Sequence, residues 1–271
     1  MRSYYINLDA RTDRRAYMET QFARLGIEAE RIAATTPADI EPEALARHCD
    51  TGKSIWIAPA ELAGSLSHRK AWRTMLERGL PHALILEDDV CLSSCLPAFL
   101  EDIGPDCEGV DIIRIETRSR RISLSAPMAS KKQGFSLHRP FSFEWGAAGY
   151  IISAACARRL LAVDGFFDLP VDNLMFHPAS SLYASLTIRQ TVPGLCTPGD
   201  AVENSGGNGL WESNIHLDRS SRFHISGEPL KGHRKIAREM RRLWLQARNL
   251  GAGSLNYLRF GARWTTIPFR A

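Results

Sequence analysis

Three consecutive carboxylates, Glu87, Asp88 and Asp89, follow directly on the apolar run Ala83-Leu84-Ile85-Leu86. Adjacent acids repel one another, and a fold tolerates them more easily where a cation neutralises them. Hard oxygen ligands suit Mg²⁺ or Mn²⁺, ions commonly held by one or two carboxylates together with substrate phosphates. The triplet alone reads equally well as a solvated acidic turn. The apolar run before it reads as a buried strand of a parallel sheet. Such a strand delivers the acids to its carboxyl end, where open α/β sheets place their ligands. If the backbone stays extended through the triplet, Glu87 and Asp89 face one side and Asp88 the other.

The elements that must position these acids are legible along the chain. Ser3 to Leu8 reads as a first strand, and Arg11 to Leu25 as a helix that Gly26 stops. Glu30 to Ala34 could be a second strand, with a short helix around Pro42 to Cys49. Pro59 to Arg78 reads as a helix, with Pro at its start and Gly79 past its end. His82 to Leu86 is the strand that carries the acids, and Val110 to Ile115 is another. Tyr150 to Ile152 ends a strand, Ser153 caps, and Ala154 to Ala162 is a helix. Asp172 to Phe176 could be a helical turn, Leu182 to Val192 holds one or two strands, and Gly194 to Asn214 reads as a loop. Alternating strands and helices predict an α/β domain of the Rossmann type, with a mostly parallel sheet flanked by helices. The glycine fingerprint of dinucleotide binding, the phosphate-binding P-loop and the Gly-x-Ser-x-Gly elbow are all absent. Any phosphate bound here falls to a metal held by carboxylates.

Net charge is +4, but it is unevenly divided. Residues Ile215 to Ala271 hold 12 Lys and Arg against 3 Asp and Glu, so this stretch is +9 and Met1 to Asn214 is −5. That division suggests a globular body at 1–214 and a basic tail at 215–271. Lys231 to Arg248 reads as a helix with Ile236, Met240, Leu243 and Trp244 on one face and basic residues elsewhere, the pattern of a helix lying on an anionic membrane surface. The alternative is a helix packed on the body. Nucleic acid is a poorer partner, because no recognition motif accompanies the charge. No run of about 18 apolar residues exists to span a membrane. The six cysteines lack zinc spacing, which predicts reduced thiols and a cytoplasmic location, peripheral at the inner face of the cell membrane.

Four blocks in order resemble glycosyltransferase family 25, the lipopolysaccharide and lipooligosaccharide biosynthesis enzymes. They are Tyr5-Ile6-Asn7-Leu8-Asp9 with Arg11, Asp13, Arg14 and Arg15; Glu61-Leu62-Ala63-Gly64-Ser65-Leu66-Ser67-His68 with Trp72; Leu86-Glu87-Asp88-Asp89; and Gly149-Tyr150-Ile151-Ile152-Ser153 followed by Pro170-Val171-Asp172-Asn173-Leu174-Met175-Phe176. Together they span residues 3 to 195. Ala63-Gly64 stands where the family usually shows Gly-Cys, and the stretch Gly199 to Gly209 has no clear counterpart. The resemblance implies a GT-A-like fold, a UDP-sugar donor (commonly UDP-galactose), Mn²⁺ or Mg²⁺, and inversion at the anomeric carbon. A saccharide or lipid-linked saccharide of lipooligosaccharide is the implied acceptor.

On that basis Asp89 is assigned to the metal, Glu87 to the metal or the donor ribose, and Asp88 to the nucleoside or to structure. Asn7 and Asp9 leave strand one where a base could lie. Arg14 and Arg15 could meet phosphate, although a solvated helix face explains each singly. His68 is a donor contact or a packed structural histidine. Asp172 is the candidate general base, with an N-cap as its structural alternative; Glu116 and Glu144 are runners-up. Trp145 could stack on a sugar or sit in the core, and His216 could complete the metal shell. Two rivals remain: a metal-dependent phosphohydrolase, and a nucleotide-sugar-binding module that has lost catalysis.

Overall fold

The computed structural model describes residues 1–50, 52, 57–128, 134–142, 144–163, 169–178, 180, 182–202 and 254–271. Strand β1 (Arg2–Asn7) leads into helix α1 (Thr12–Leu25), which ends where Gly26 turns to φ 66°, a left-handed conformation that glycine takes without steric cost. Strand β2 (Ala29–Ala33) and helix α2 (Pro42–His48) follow. Helix α3 (Pro59–Glu77) starts on a proline whose missing N–H would be unbonded there anyway, and Glu61 Oε2 accepts the Ala58 N–H at 3.1 Å. Next come β3 (His82–Glu87), β4 (Val90–Leu92), α4 (Leu96–Asp102), β5 (Ile112–Arg114), β6 (Arg121–Leu124), β7 (Ser136–His138) and β8 (Gly149–Ser153). Ser153 accepts the Cys156 N–H and caps α5 (Ala154–Leu161), as expected. The remaining elements are α6 (Val171–Phe176), β9 (Ile188–Val192), β10 (Cys196–Pro198) and β11 (Arg263–Thr266).

The main sheet has the order β2-β1-β3-β8-β5-β9-β7. β1, β2, β3, β5 and β9 run one way and β8 and β7 the other, so the sheet is mostly parallel. Strand alternation sorts its two faces. Ile85, Tyr4 and Ile152 pack with Trp72 and Met75 of α3 and Leu160 of α5. Leu84, Leu86 and Ile151 pack with Met18 and Phe22 of α1 and Leu96 and Phe99 of α4. Ala83 through Leu86 are completely buried, as suits an interior strand between β1 and β8, and each large side chain in β3 contributes roughly 1.5–3 kcal/mol.

Two expectations need correction. Gly194 to Asn214 is not simply a loop: Cys196–Pro198 forms β10, antiparallel to β4. A three-residue ribbon ending in Pro gives no periodic signal, and Pro198 lies at its end, where a missing N–H does little harm. The triplet is also not extended throughout, because β3 ends at Glu87 and Asp88-Asp89 form the turn into β4. The expected helix Lys231 to Arg248 and His216 lie outside the described residues. At the far end of the basic stretch, β11 pairs antiparallel with β6, and fully buried Ile267 packs on Ile122 and Leu124. All six cysteines are free thiols.

Candidate active site

β3 runs out of core at Glu87, and the turn that follows folds the next two acids onto one cation. Arg14 Nη1 lies 3.0 Å from Asp88 Oδ1 and 3.1 Å from Asp89 Oδ2. The alternation expected of an extended backbone therefore stops at Glu87, and Asp88 and Asp89 converge on the same guanidinium. Asn7 Nδ2 donates to Asp88 Oδ2 at 2.7 Å and to the Arg11 carbonyl at 3.0 Å, while Arg31 reaches Asn7 Oδ1 and pairs with Asp9 at 2.6 Å. Asn7 and Arg14 are buried and hold Asp88 in place; Asp9 is largely exposed beside Arg31, and Arg15 pairs with Glu19 on the helix surface. Asp88 thus has both oxygens engaged and belongs to the scaffold.

Glu87 is fixed from the other side. Trp72 Nε1 donates to the Tyr150 hydroxyl at 2.9 Å, Tyr150 meets His68 Nδ1 at 2.8 Å, and His68 Nε2 meets Glu87 Oε1 at 3.4 Å. Trp72, Tyr150, His68 and Glu87 thus form one continuous chain of polar contacts that crosses from the core to the end of β3. His68 is buried with both ring nitrogens engaged, so it orients Glu87. Burial works to raise the Glu87 carboxyl, but the His68 hydrogen bond and the nearby charges of His68, Arg118 and Arg14 outweigh it and hold the pKa below the usual value.

Beyond Glu87 lies a second charged layer that the sequence did not single out as a group. Arg114 Nη2 lies 3.2 Å from Glu116 Oε2, and its Nη1 lies 3.8 Å from Glu144 Oε2. Arg118 contacts both oxygens of Asp200 at 3.3 Å and lies 3.8 Å from Glu116 Oε1. Asp200 arrives by way of β10, because the Gly199 N–H donates to the Asp89 carbonyl at 2.7 Å. Burial pushes Asp89 up to about 7, helped by the charge of Glu87 and opposed by Arg14.

Burial likewise pushes Glu116 up to about 6, against Arg114 and Arg118. The fold therefore holds a proton there more tightly than the unfolded chain does. The resulting stability is full below the ordinary value of 4.5 and is lost as pH rises through about 6, an effect on the order of 2 kcal/mol. Glu116→Gln retains an acceptor for the Ala148 N–H and removes the titration. Its melting temperature is expected to vary less than the parent's across that window; identical pH profiles would show that Glu116 does not titrate there.

Asp172 is buried and accepts two backbone N–H bonds, from Asn173 at 2.8 Å and from Gly146 at 3.1 Å. Pro170 occupies the N-cap, so Asp172 serves the first turn from inside the helix and not as its cap. Gly146 has φ 107°, and a Cβ there would lie 2.2 Å from Glu116 Oε1. The Gly146 turn thus joins Asp172 to the Glu116 layer. Trp145, beside it, is exposed and not in the core.

The donor set suits a divalent cation in a limited way. Glu87, Asp88, Asp89, Glu116, Glu144 and Asp200 outnumber Arg14, Arg114 and Arg118, and the surplus negative charge contributes to the raised Asp89 pKa. Among the described residues no three His, Cys, Asp or Glu side chains form a ready-made metal-binding group. Glu87 and Asp89 with their remaining oxygens fit an ion that takes one or two carboxylates and completes its shell with water and phosphate.

Arg114, Arg118 and Asp200 carry no periodic or motif signal; a charged residue at the end of a strand or a few residues past it is the only hint. Comparison with known proteins gives the site its context. A family model described as "Glycosyltransferase family 25 (LPS biosynthesis protein)" matches residues 1–175. The "Lacto-N-neotetraose biosynthesis glycosyltransferase LgtB" of Neisseria meningitidis serogroup B (strain ATCC BAA-335 / MC58) is 30% identical over 212 residues, 72% of this chain and 74% of that protein. LgtE of the same strain is 29% identical over 209 residues, 73% and 74% of the two chains. The crystal structure of an active-site mutant of LgtC aligns with 84% of this chain and 98% of its own at 13% identity and a TM-score of 0.39, too distant for residue roles to be carried across.

Proposed function

This chain belongs to glycosyltransferase family 25, and we propose on that premise that it moves galactose from UDP-galactose to a saccharide of lipopolysaccharide or lipooligosaccharide, with inversion at the anomeric carbon. The observation that carries the proposal is the surplus of carboxylates at the carboxyl end of β3, rimmed by guanidinium groups. Glu87 and Asp89 would hold Mn²⁺ or Mg²⁺, which when bound neutralises the leaving diphosphate as a Lewis acid. His68 and Arg14 fix the orientation of those two acids, and Asn7 fixes Asp88 behind them. Asp172 accepts the proton of the acceptor hydroxyl as that oxygen attacks and the bond to the diphosphate breaks. A binding panel of nucleotide sugars with and without Mn²⁺ tests the donor: tighter binding of UDP-sugars with metal is expected. Equal indifference to every nucleotide would overturn it.

The second part of the proposal is a membrane-surface partner for the basic stretch. No helix among the described residues is long and apolar enough to cross a membrane. Leu255, Tyr257, Leu258 and Trp264 are exposed, with Arg259 and Arg263 exposed among them, a mixture suited to an anionic interface. Truncation before β11 would also strip Ile267 from the core, so charge reversal is the cleaner test. Arg238→Glu, Arg241→Glu and Arg242→Glu together should lower co-sedimentation with anionic vesicles, as should added salt on the parent. Equal sedimentation of parent and variant would remove the membrane from the account.

A further inference from the structure

Trp145 stands at the reacting edge of the sheet. The Glu87 N–H donates to the Ala148 carbonyl at 2.9 Å, which aligns the segment entering β8 with the end of β3. Trp145 lies three residues before that bond. Its backbone is clamped from several directions: Arg114 Nη2 donates to the Trp145 carbonyl at 2.9 Å and to the Gly146 carbonyl at 3.2 Å, and Asp172 accepts the Gly146 N–H. On the other side, Glu144 accepts the Arg118 N–H at 2.9 Å. These anchors are all buried, Arg114 at 4%, Glu144 at 2% and Asp172 at 5% exposure, whereas the Trp145 they hold is 46% exposed. Loops need no such clamp to let an apolar ring face water. An exposed indole carried on a backbone clamped by Arg114 and, one residue on, by the candidate base Asp172 is the arrangement of a binding surface.

We propose that Trp145 is the stacking platform for the acceptor, taking the apolar face of a pyranose ring; this rests on the glycosyl-transfer assignment above. A pyranose shows axial C–H groups on one face and hydroxyls around its rim. The C–H groups carry slight positive charge and favour the negative face of an aromatic ring. The indole sits next to the Gly146 turn held by Asp172, the group proposed to meet the acceptor hydroxyl, which favours the acceptor over the donor. Unchanged UDP affinity in Trp145→Ala separates this from stacking of the donor's uracil. Stacking beside Asp172 would also hold the acceptor hydroxyl near the group that takes its proton.

The test uses the full chain, with methyl β-glucoside, methyl β-galactoside and methyl N-acetyl-β-glucosaminide as probes. Saccharide binding is read without donor by saturation-transfer NMR and by tryptophan fluorescence, with Trp145→Phe as the reference spectrum. At least one probe should bind the parent. Trp145→Ala should weaken that binding and raise acceptor KM on the order of tenfold, Trp145→Phe should retain most of both, and UDP affinity should not change. Parental saccharide affinity in Trp145→Ala overturns the platform, as does a parent that binds no probe. If the parent transfers no sugar yet Trp145→Ala loses saccharide binding, the platform stands and the transfer assignment falls.

Discussion

Asp89→Asn is expected to abolish most metal-dependent binding of UDP while leaving a chain that melts cooperatively. The fold should survive because Arg14 keeps its second partner, Asp88, at 3.0 Å, and because Asp89 lies in a turn outside the packed strand. The neutral amide removes the charge that a divalent ion needs, and loss of a direct ligand should exceed the roughly 10–100-fold seen when only a ligand's supporting partner is lost. The parent carries a further signature. With Asp89 pushed up to about 7, a cation has to displace a proton as the solution becomes more acidic, so metal-dependent affinity should weaken below that pH. Asp89→Asn should lack this pH dependence. Calorimetry that finds unchanged metal-dependent affinity in a folded variant would reject Asp89 as a ligand.

Asp172→Asn should slow transfer on the order of 10²–10⁴-fold, the usual effect of removing a general base. The structure adds a complication and a way round it. Both Asp172 oxygens accept backbone N–H groups, and an asparagine can supply only one acceptor oxygen, so either the Asn173 or the Gly146 bond is lost. Some loss of stability, about 1–3 kcal/mol, is therefore expected whichever role the residue has. The kinetic split separates the roles. A base acts in the transition state, so turnover falls while donor affinity holds. A residue that only clamps the Gly146 turn would disturb Trp145, and acceptor KM would rise with turnover nearly intact. The second pattern would move Asp172 to a positioning role.

The strand that carries the acids is legible because its apolar run is unbroken, and the helices packed on the sheet are legible because Pro59, Gly79 and Ser153 punctuate them. Those are local signals: a proline at a helix start, a glycine past its end, a hydroxyl at a cap. The helix that ends at Gly26 was legible for the same reason. What the sequence could not show was direction and convergence. Nothing in Gly149–Ser153 says that β8 enters the sheet antiparallel between β3 and β5, yet that placement brings Trp145 and Gly146 to the edge beside Glu87. The period-two argument placed Asp88 opposite Asp89, and it failed because the chain turns one residue after Glu87. Asn7, Arg14 and His68 are legible as candidates, but that their hydrogen bonds go to neighbouring acids and aromatics depends on distances between residues far apart in sequence. Asp200 was hidden in a glycine-rich stretch, where only the pairing of β10 with β4 reveals that it faces the triplet.

The most direct measurement is transfer itself. The full chain, Mn²⁺, radiolabelled UDP-galactose and purified lipooligosaccharide should give label in the saccharide. Chelation of the metal should stop it, and NMR of the product should show a β linkage. Label released only as free sugar, or no reaction from any UDP-sugar with metal present, would contradict the account.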